Sequence, residues 1–198
     1  MRYVLVANMP ETKDSDFTWK DFQAKNNNEL VAIYGNYVNR VIVLINKYYM
    51  GEVPTPEILT KEDEKTINSI KLARDKIGLT IEKFRFRESN SEMINIARIG
   101  NKYLADNEPW KKIKNEPERT KTILFVSIQI VSALAYLSGP FLPFTSLKLK
   151  GILRINKQIK WNEILNNNII KSGHQINRES FLFEKIEDGE IHSQYQKL

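Results

Sequence analysis

The sequence contains no cysteine, which excludes disulfides and thiolate metal sites and is compatible with a cytoplasmic location. Histidine is nearly absent as well. His174 and His192 are the only two, and neither has a third partner at the spacing a metal centre needs. No metal site is therefore expected. Glycine and proline are sparse, at 8 and 7 residues, and there is no glycine-rich phosphate cradle, nucleophile elbow or zinc-type histidine pair. With no motif linking either histidine to a serine, the chain carries no catalytic residues and reads as a binding module. Membrane-length runs are also missing. Tyr3 to Ala7 is apolar but too short to span a bilayer, and it lacks signal-peptide architecture. Ile123 to Leu137 is longer, but Ser127, Gln129 and Ser132 interrupt it, so it reads as a buried core helix and no membrane partner is expected.

Apolar residues make up 41% of the 198 positions, enough for one well-buried core with at most a small appended subdomain. Thirty Lys and Arg oppose 24 Asp and Glu, giving a formal charge of +6 and a pI near 9.3. That balance favours a polyanionic partner, although charge alone does not identify one.

The organisation is helical. Cap-type residues between Asp14 and Trp19 precede a long pattern in which Leu30, Ile33, Tyr34, Tyr37, Val38, Val41, Leu44, Ile45 and Tyr48 recur at three- and four-residue steps. Gly51, Pro54 and Pro56 stop it. Further helices are expected over Glu57 to Phe84, with Gly78 as a weak point, over Ser89 to Ala105, and over Glu118 to Leu137. The last is apolar almost all round and so should be central. A short one is expected over Pro143 to Leu153. Short connections favour antiparallel neighbours, so the expected class is all-α, an antiparallel helical bundle. Beyond Gly151 the pattern weakens, with at most a turn or two at Trp161 to Leu165, an irregular connector from Gly173 to Phe183, and a final short helix near Glu187 to Gln196. The expected segments are 1–16, 17–153 and 154–198.

Two features stand out as recognition chemistry. Phe84-Arg85-Phe86-Arg87, followed by Asn101 to Lys111, joins aromatic side chains to positive charge and ends at a Pro109-Trp110 corner flanked by lysines. Such a surface suits a stacked nucleic-acid base. Trp110 can equally tuck inward as a staple at a helix start. Asn36 and Arg40 are four apart, hence about 40° apart on one helix face. There an amide and a guanidinium can address one small target, or simply belong to a solvated stripe. The cations Arg98, Lys102, Lys111, Lys112, Lys114, Arg119 and Lys121 are interspersed with Asp106, Glu108, Glu116 and Glu118. They read as an ordinary solvated face or as an electrostatic funnel.

Several strings closely resemble the C-terminal anticodon-binding region of methionyl-tRNA synthetase, a class I synthetase. They are Pro10 to Asp14 with Asp16-Phe17 and Trp19; Asn26-Asn27-Asn28-Glu29-Leu30-Val31; Gly35 to Arg40; Asn46-Lys47-Tyr48 with Gly51; Asn101 to Lys111; and Gly173-His174 with Leu182 to Ile186. Where the family has prolines before the Leu-Phe pair, this chain has Arg178, Glu179, Ser180 and Phe181. The resemblance implies a helical bundle of the class I anticodon-binding type (17–153), entered by a connector from the catalytic half (1–16) and left by a less regular linker (154–198). It implies recognition of the CAU anticodon of methionine tRNA, with Trp110 stacking on a base, Asn36 and Arg40 reading it, Pro109 fixing the corner, and Lys102, Lys111, Lys112 and Lys114 placed for the RNA backbone. Neither HIGH nor KMSKS occurs, so this chain alone should not activate methionine. ATP, and an optional zinc, belong by resemblance to the parent ligase's catalytic half, which is an expected partner alongside methionine tRNA; DNA is not. A free-standing tRNA-binding protein and a helical protein-interaction scaffold are the alternatives.

Overall fold

A computed structural model describes residues 1–12, 14–178 and 181–197; the parts of the quoted strings that fall on Lys13, Glu179 and Ser180 lie outside the described residues. Among them there is no strand, only an isolated bridge between Glu52 and Gln175.

After a short helix α1 (Arg2–Ala7), one continuous helical rod is built from α2 (Trp19–Lys25), a π-helical stretch (Asn26–Gly35) and α3 (Asn36–Tyr49). The Thr18 side chain caps it by accepting from the Asp21 amide at 3.1 Å. The rod ends where Met50 and then Gly51 take left-handed conformations, at φ 52° and 84°. Helix α4 (Lys61–Glu82) starts with a reciprocal Thr60–Asp63 capping box. It is followed by α5 (Phe86–Asn107), the one-turn α6 (Pro109–Lys112), α7 (Pro117–Leu137) and α8 (Pro143–Ile152). Each of the last three opens on proline, whose missing N–H costs nothing in a first turn. A single 3₁₀ turn (Trp161–Glu163) and α9 (Asp188–Tyr195) complete the order.

Helix α7 is the axis of the bundle and packs against α3, α4, α5, α6 and α8. It is the one helix, among the described residues, long and apolar enough to cross a membrane, and 94% of that window is buried inside the protein. Its polar side chains are satisfied internally. Ser127 and Ser132 donate to the carbonyls of Ile123 and Ile128, while the Gln129 amide donates to the Ile170 carbonyl at 2.7 Å and accepts from the Ile169 amide at 2.8 Å. The core helix expected at this position thus carries polar groups that clamp the C-terminal segment.

Both chain ends join the same core. Tyr3 and Val4 of α1 are buried, a helix that the reading of Tyr3 to Ala7 as merely a short apolar run did not foresee. Ile164, Leu165, Ile170 and Ile176 are buried from the other end. The expected weak point at Gly78 has a packing reason, because a Cβ there would lie 2.8 Å from the Trp161 indole nitrogen, which donates to the Arg74 carbonyl at 3.1 Å. The Asn26-Asn27-Asn28 string also acquires a purpose. Asn27 exchanges two hydrogen bonds with the Ile186 backbone, at 2.8 and 2.9 Å, and Asn26 donates to the Glu184 carbonyl. Side-chain amides here do what a neighbouring strand would do for an otherwise unpaired segment.

Candidate nucleic-acid interface

The corner at Pro109-Trp110 is built on a buried charge. Asp63, fully buried on α4, accepts two hydrogen bonds from the Arg119 guanidinium of α7, at 2.5 and 2.9 Å, and one from the Tyr103 hydroxyl of α5 at 2.5 Å. Arg119 also donates to Asn107 Oδ1 at 2.9 Å, and Asn107 returns a bond to the Tyr103 carbonyl. Burial opposes ionisation of Asp63, but the bonds from Arg119, Tyr103 and Thr60 overcome it and hold the carboxyl at about 2, below its ordinary 3.8. Burial first, and Asp63 second, push the Tyr103 hydroxyl well above its usual range. Three helices are thereby tied together where α5 must end. The end itself is made by Glu108, whose left-handed backbone (φ 44°) reverses the chain so that buried Pro109 starts α6.

Trp110 projects from this corner half-buried, packed against the core, with the Arg40 guanidinium carbon 4.9 Å from its ring centroid. The side chain is therefore partly tucked inward, as a staple is, and partly at the surface. At that distance the guanidinium lies over the ring face in a cation–π contact.

Asn36, exposed and one turn before Arg40, donates to Asn101 Oδ1 at 3.1 Å, and Asn101 donates to the Ile33 and Ala97 carbonyls. Asn36 Oδ1 has no protein donor among the described residues. The approach of α3 to α5 depends on Gly100, where a Cβ would lie only 2.3–2.6 Å from carbons of the Tyr37 ring. Because Tyr37 and Gly100 each precede or follow the Asn36–Asn101 pair by one residue, that close packing is what brings the two amides within reach. The π-helical stretch ends at Gly35, directly before Asn36, and a Cβ on Gly35 would meet the Leu30 carbonyl at 3.0 Å and the Phe183 ring at 3.3 Å. Insertions of π geometry shift the angular register of everything after them, so Asn36 and Arg40 face α5 only in this register.

The structure brings Asn36, Arg40 and Trp110 together, with Pro109 buried beneath, beside a shallow recess of about 460 Å³ lined in part by Asn36, Arg40, Arg98, Asn101 and Lys102. The expected cations divide into two groups. Lys102 pairs with Asp106 and Lys111 with Glu108, both at 2.7 Å, and Lys121 pairs with Glu118. Arg119 is neutralised by Asp63, so it belongs to the corner's foundation and not to a funnel. Lys112, Lys114 and Arg98 have no ion pair among the described residues. The Phe84-Arg85-Phe86-Arg87 stretch is not part of this surface. Phe84 and Phe86 stack edge to face, 6.0 Å apart, at the opposite end of α5, about 30 Å from the corner at 1.5 Å per residue. Sequence reading did not find Asp63, and it included Asn101, Tyr103 and Asn107 in the recognition stretch without assigning any of them a role. For Asp63 the signal was the Thr60-x-x-Asp63 capping pattern, which announces a helix start but not the guanidinium it holds.

Among the described residues no cluster of His, Asp or Glu is arranged to hold a metal. The structure defines the class as an all-α helical bundle with an aromatic corner next to amide and guanidinium groups. Comparison with known proteins makes the class specific. The family model for the anticodon binding domain of methionyl tRNA ligase matches residues 53–198, and that for class I tRNA synthetases (M) matches residues 1–42. The chain belongs to the methionyl-tRNA ligase anticodon-binding family. It is 53% identical to the methionine–tRNA ligase of Flavobacterium psychrophilum, covering all of this chain and 29% of that protein. It is 55% identical to that of Christiangramia forsetii, covering all of this chain and 30% of that one. The chain thus spans about 30% of these relatives' length. Apo methionyl-tRNA synthetase of Mycobacterium tuberculosis superposes with a TM-score of 0.86 over 94% of this chain and 38% of its own, at 19% identity, a likeness of fold.

Proposed function

We propose that this chain reads the CAU anticodon of methionine tRNA as part of a cytoplasmic methionine–tRNA ligase, whose catalytic half attaches methionine with ATP. In this reading 17–153 is the recognition body, 1–16 its connector and 154–198 its return linker. The observation that carries it is the Trp110–Arg40 stack standing beside the half-satisfied amide of Asn36.

Anticodon bases are unpaired, so a base can join the indole–guanidinium stack, a contact that contributes about 1–3 kcal/mol. Asn36 Oδ1 and the guanidinium then meet base edges, and a wrong base leaves those groups unpaired in a desolvated setting, which is what makes hydrogen-bonded sites discriminate. Lys112 and Lys114 meet phosphates directly. Lys102 and Lys111 exchange weak, solvent-screened surface ion pairs for phosphate contacts. The proposal is tested with labelled stem-loops carrying CAU or a changed first base. Asn36→Ala and Arg40→Ala should lower the preference for CAU. Lys112→Ala with Lys114→Ala should weaken both RNAs equally and flatten the salt dependence, by about 0.7 of a log–log unit per lost single-strand phosphate contact. Unaltered preference in the Asn36 and Arg40 variants would refute it.

A further inference from the structure

A one-way chain of hydrogen bonds runs from the backbone to the surface at Asn36. The Asn101 Nδ2 group, on α5, donates to the carbonyls of Ile33 and Ala97 at 3.0 and 3.1 Å. A backbone carbonyl can only accept, so the Asn101 amide has one permitted orientation; reversed, it would set its own oxygen against both carbonyls. Its Oδ1 is thereby turned to Asn36 and accepts from the Asn36 Nδ2 group at 3.1 Å. The same logic holds one step further out. With the Nδ2 side of Asn36 committed to Asn101, its Oδ1 is the group left without a protein donor among the described residues.

One turn on, Arg40 supplies the opposite character. Its guanidinium lies over the Trp110 ring, has no hydrogen bond or ion pair among the described residues, and can only donate. Side chains one turn apart on a helix are separated by about 5–6 Å, comparable to the edge of a single base. Asn36 and Arg40 both line the shallow recess, which therefore offers an acceptor followed by donors. The pairing edge of cytosine is complementary, with an amino donor followed by ring-nitrogen and keto acceptors, whereas uracil presents a keto acceptor followed by a ring N–H and opposes both groups.

From this arrangement we infer that Asn101 is a positioning residue for base choice: by locking the Asn36 amide with its oxygen outward, it makes the site select a base with an exocyclic amino group at the first anticodon position. Asn101 itself touches no base. The inference rests on the anticodon reading and adds to it the atom that reads and the residue that orients it.

The test measures binding of stem-loops that differ only at the first anticodon position, carrying cytidine, uridine, zebularine (cytidine with hydrogen in place of the amino group) or an abasic sugar, to the chain, Asn101→Ala and Asn36→Asp. For the chain, zebularine should bind about five- to tenfold more weakly than cytidine, the size of one neutral hydrogen bond, and uridine more weakly still. Asn101→Ala frees the Asn36 amide to turn over, so cytidine and zebularine should bind alike, while the further loss at the abasic site, which reports the stack on Trp110, stays as in the chain. A general defect of the site would reduce both differences. Asn36→Asp presents acceptors only, which suit a cytosine amino group. It should keep the preference for cytidine over zebularine whatever its total affinity, and it decides the matter if Asn101→Ala loses its helical circular dichroism. A full zebularine penalty in folded Asn101→Ala, loss of the abasic penalty along with it, or loss of the cytidine preference in Asn36→Asp would overturn the positioning role and leave the anticodon reading standing. A chain that binds the cytidine, uridine and zebularine loops equally would overturn the anticodon reading and this inference with it.

Discussion

The Trp110 corner and the C-terminal segment from Leu153 onward are fastened to the same bundle in opposite ways. The corner hangs on one buried carboxylate that ties α4, α5 and α7 together through Arg119, Tyr103 and Asn107. The C-terminal segment is held by many separate bonds from bundle side chains to its backbone. Arg74 donates to the carbonyls of Asn162 and Ile164 at 3.0 and 2.6 Å, Gln129 grips Ile169 and Ile170, and Asn27 pairs with Ile186. A concentrated, charged anchor gives a single rigid geometry, which a base-reading surface needs. Distributed anchors, of which only Arg74 is charged, secure a largely irregular segment, and they can be lost one at a time.

The contrast is broken most severely at Asp63. Asp63→Asn leaves Arg119 without its counter-charge and should destabilise the fold by about 3–5 kcal/mol, measured by urea denaturation. The same residue gives a pH signature. Its folded pKa, about 2, lies below the ordinary value, so its stabilisation is complete above about pH 4 and is lost as pH falls toward 2, an amount of about 2 kcal/mol. The fall in stability over that window should be visibly smaller in Asp63→Asn than in the parent chain.

Arg74→Met tests the other side. It leaves the Ile164 carbonyl buried without a donor and should cost about 1–3 kcal/mol. Hydrogen exchange should quicken between Trp161 and Ile170 while the amides around Asn107 and Trp110 keep their protection. Equal loosening of both regions would show that corner and tail are one cooperative unit.

Gly100→Ala sharpens the comparison on the corner side. The added methyl must displace the Tyr37 ring, at about 1–3 kcal/mol, and should part Asn36 from Asn101. The expected readout is a loss of CAU preference larger than the loss of overall RNA affinity, with tail exchange unchanged.

How much of this could be read in the sequence follows the same division. The central helix was legible because Ile123 to Leu137 is apolar on every face, and the corner because Pro109 after a helical pattern can only begin something new. The π-helical stretch was not, since its apolar residues still recur at three- and four-residue steps and mimic an α-helix. The short α1 has six residues and no side-chain cap, so periodicity had nothing to measure. The tail's anchors are bonds between residues 40 to 160 positions apart, formed by side chains to backbone atoms that carry no sequence signature. Arg119 was counted with the surface cations because its partner, Asp63, is 56 residues away. Lys102 and Lys111, by contrast, have their carboxylates three or four residues away, a pairing the helical repeat does announce.

The central claim is that the indole of Trp110 is a stacking surface for an anticodon base and not merely a wedge in the core. The most direct measurement is the ratio of affinities of Trp110→Ala for CAU and for a stem-loop changed at the first anticodon base, with circular dichroism confirming that the variant stays folded. The account predicts that the ratio collapses toward one, with CAU affinity reduced by about 1–3 kcal/mol. A folded Trp110→Ala protein that keeps the full ratio would contradict it.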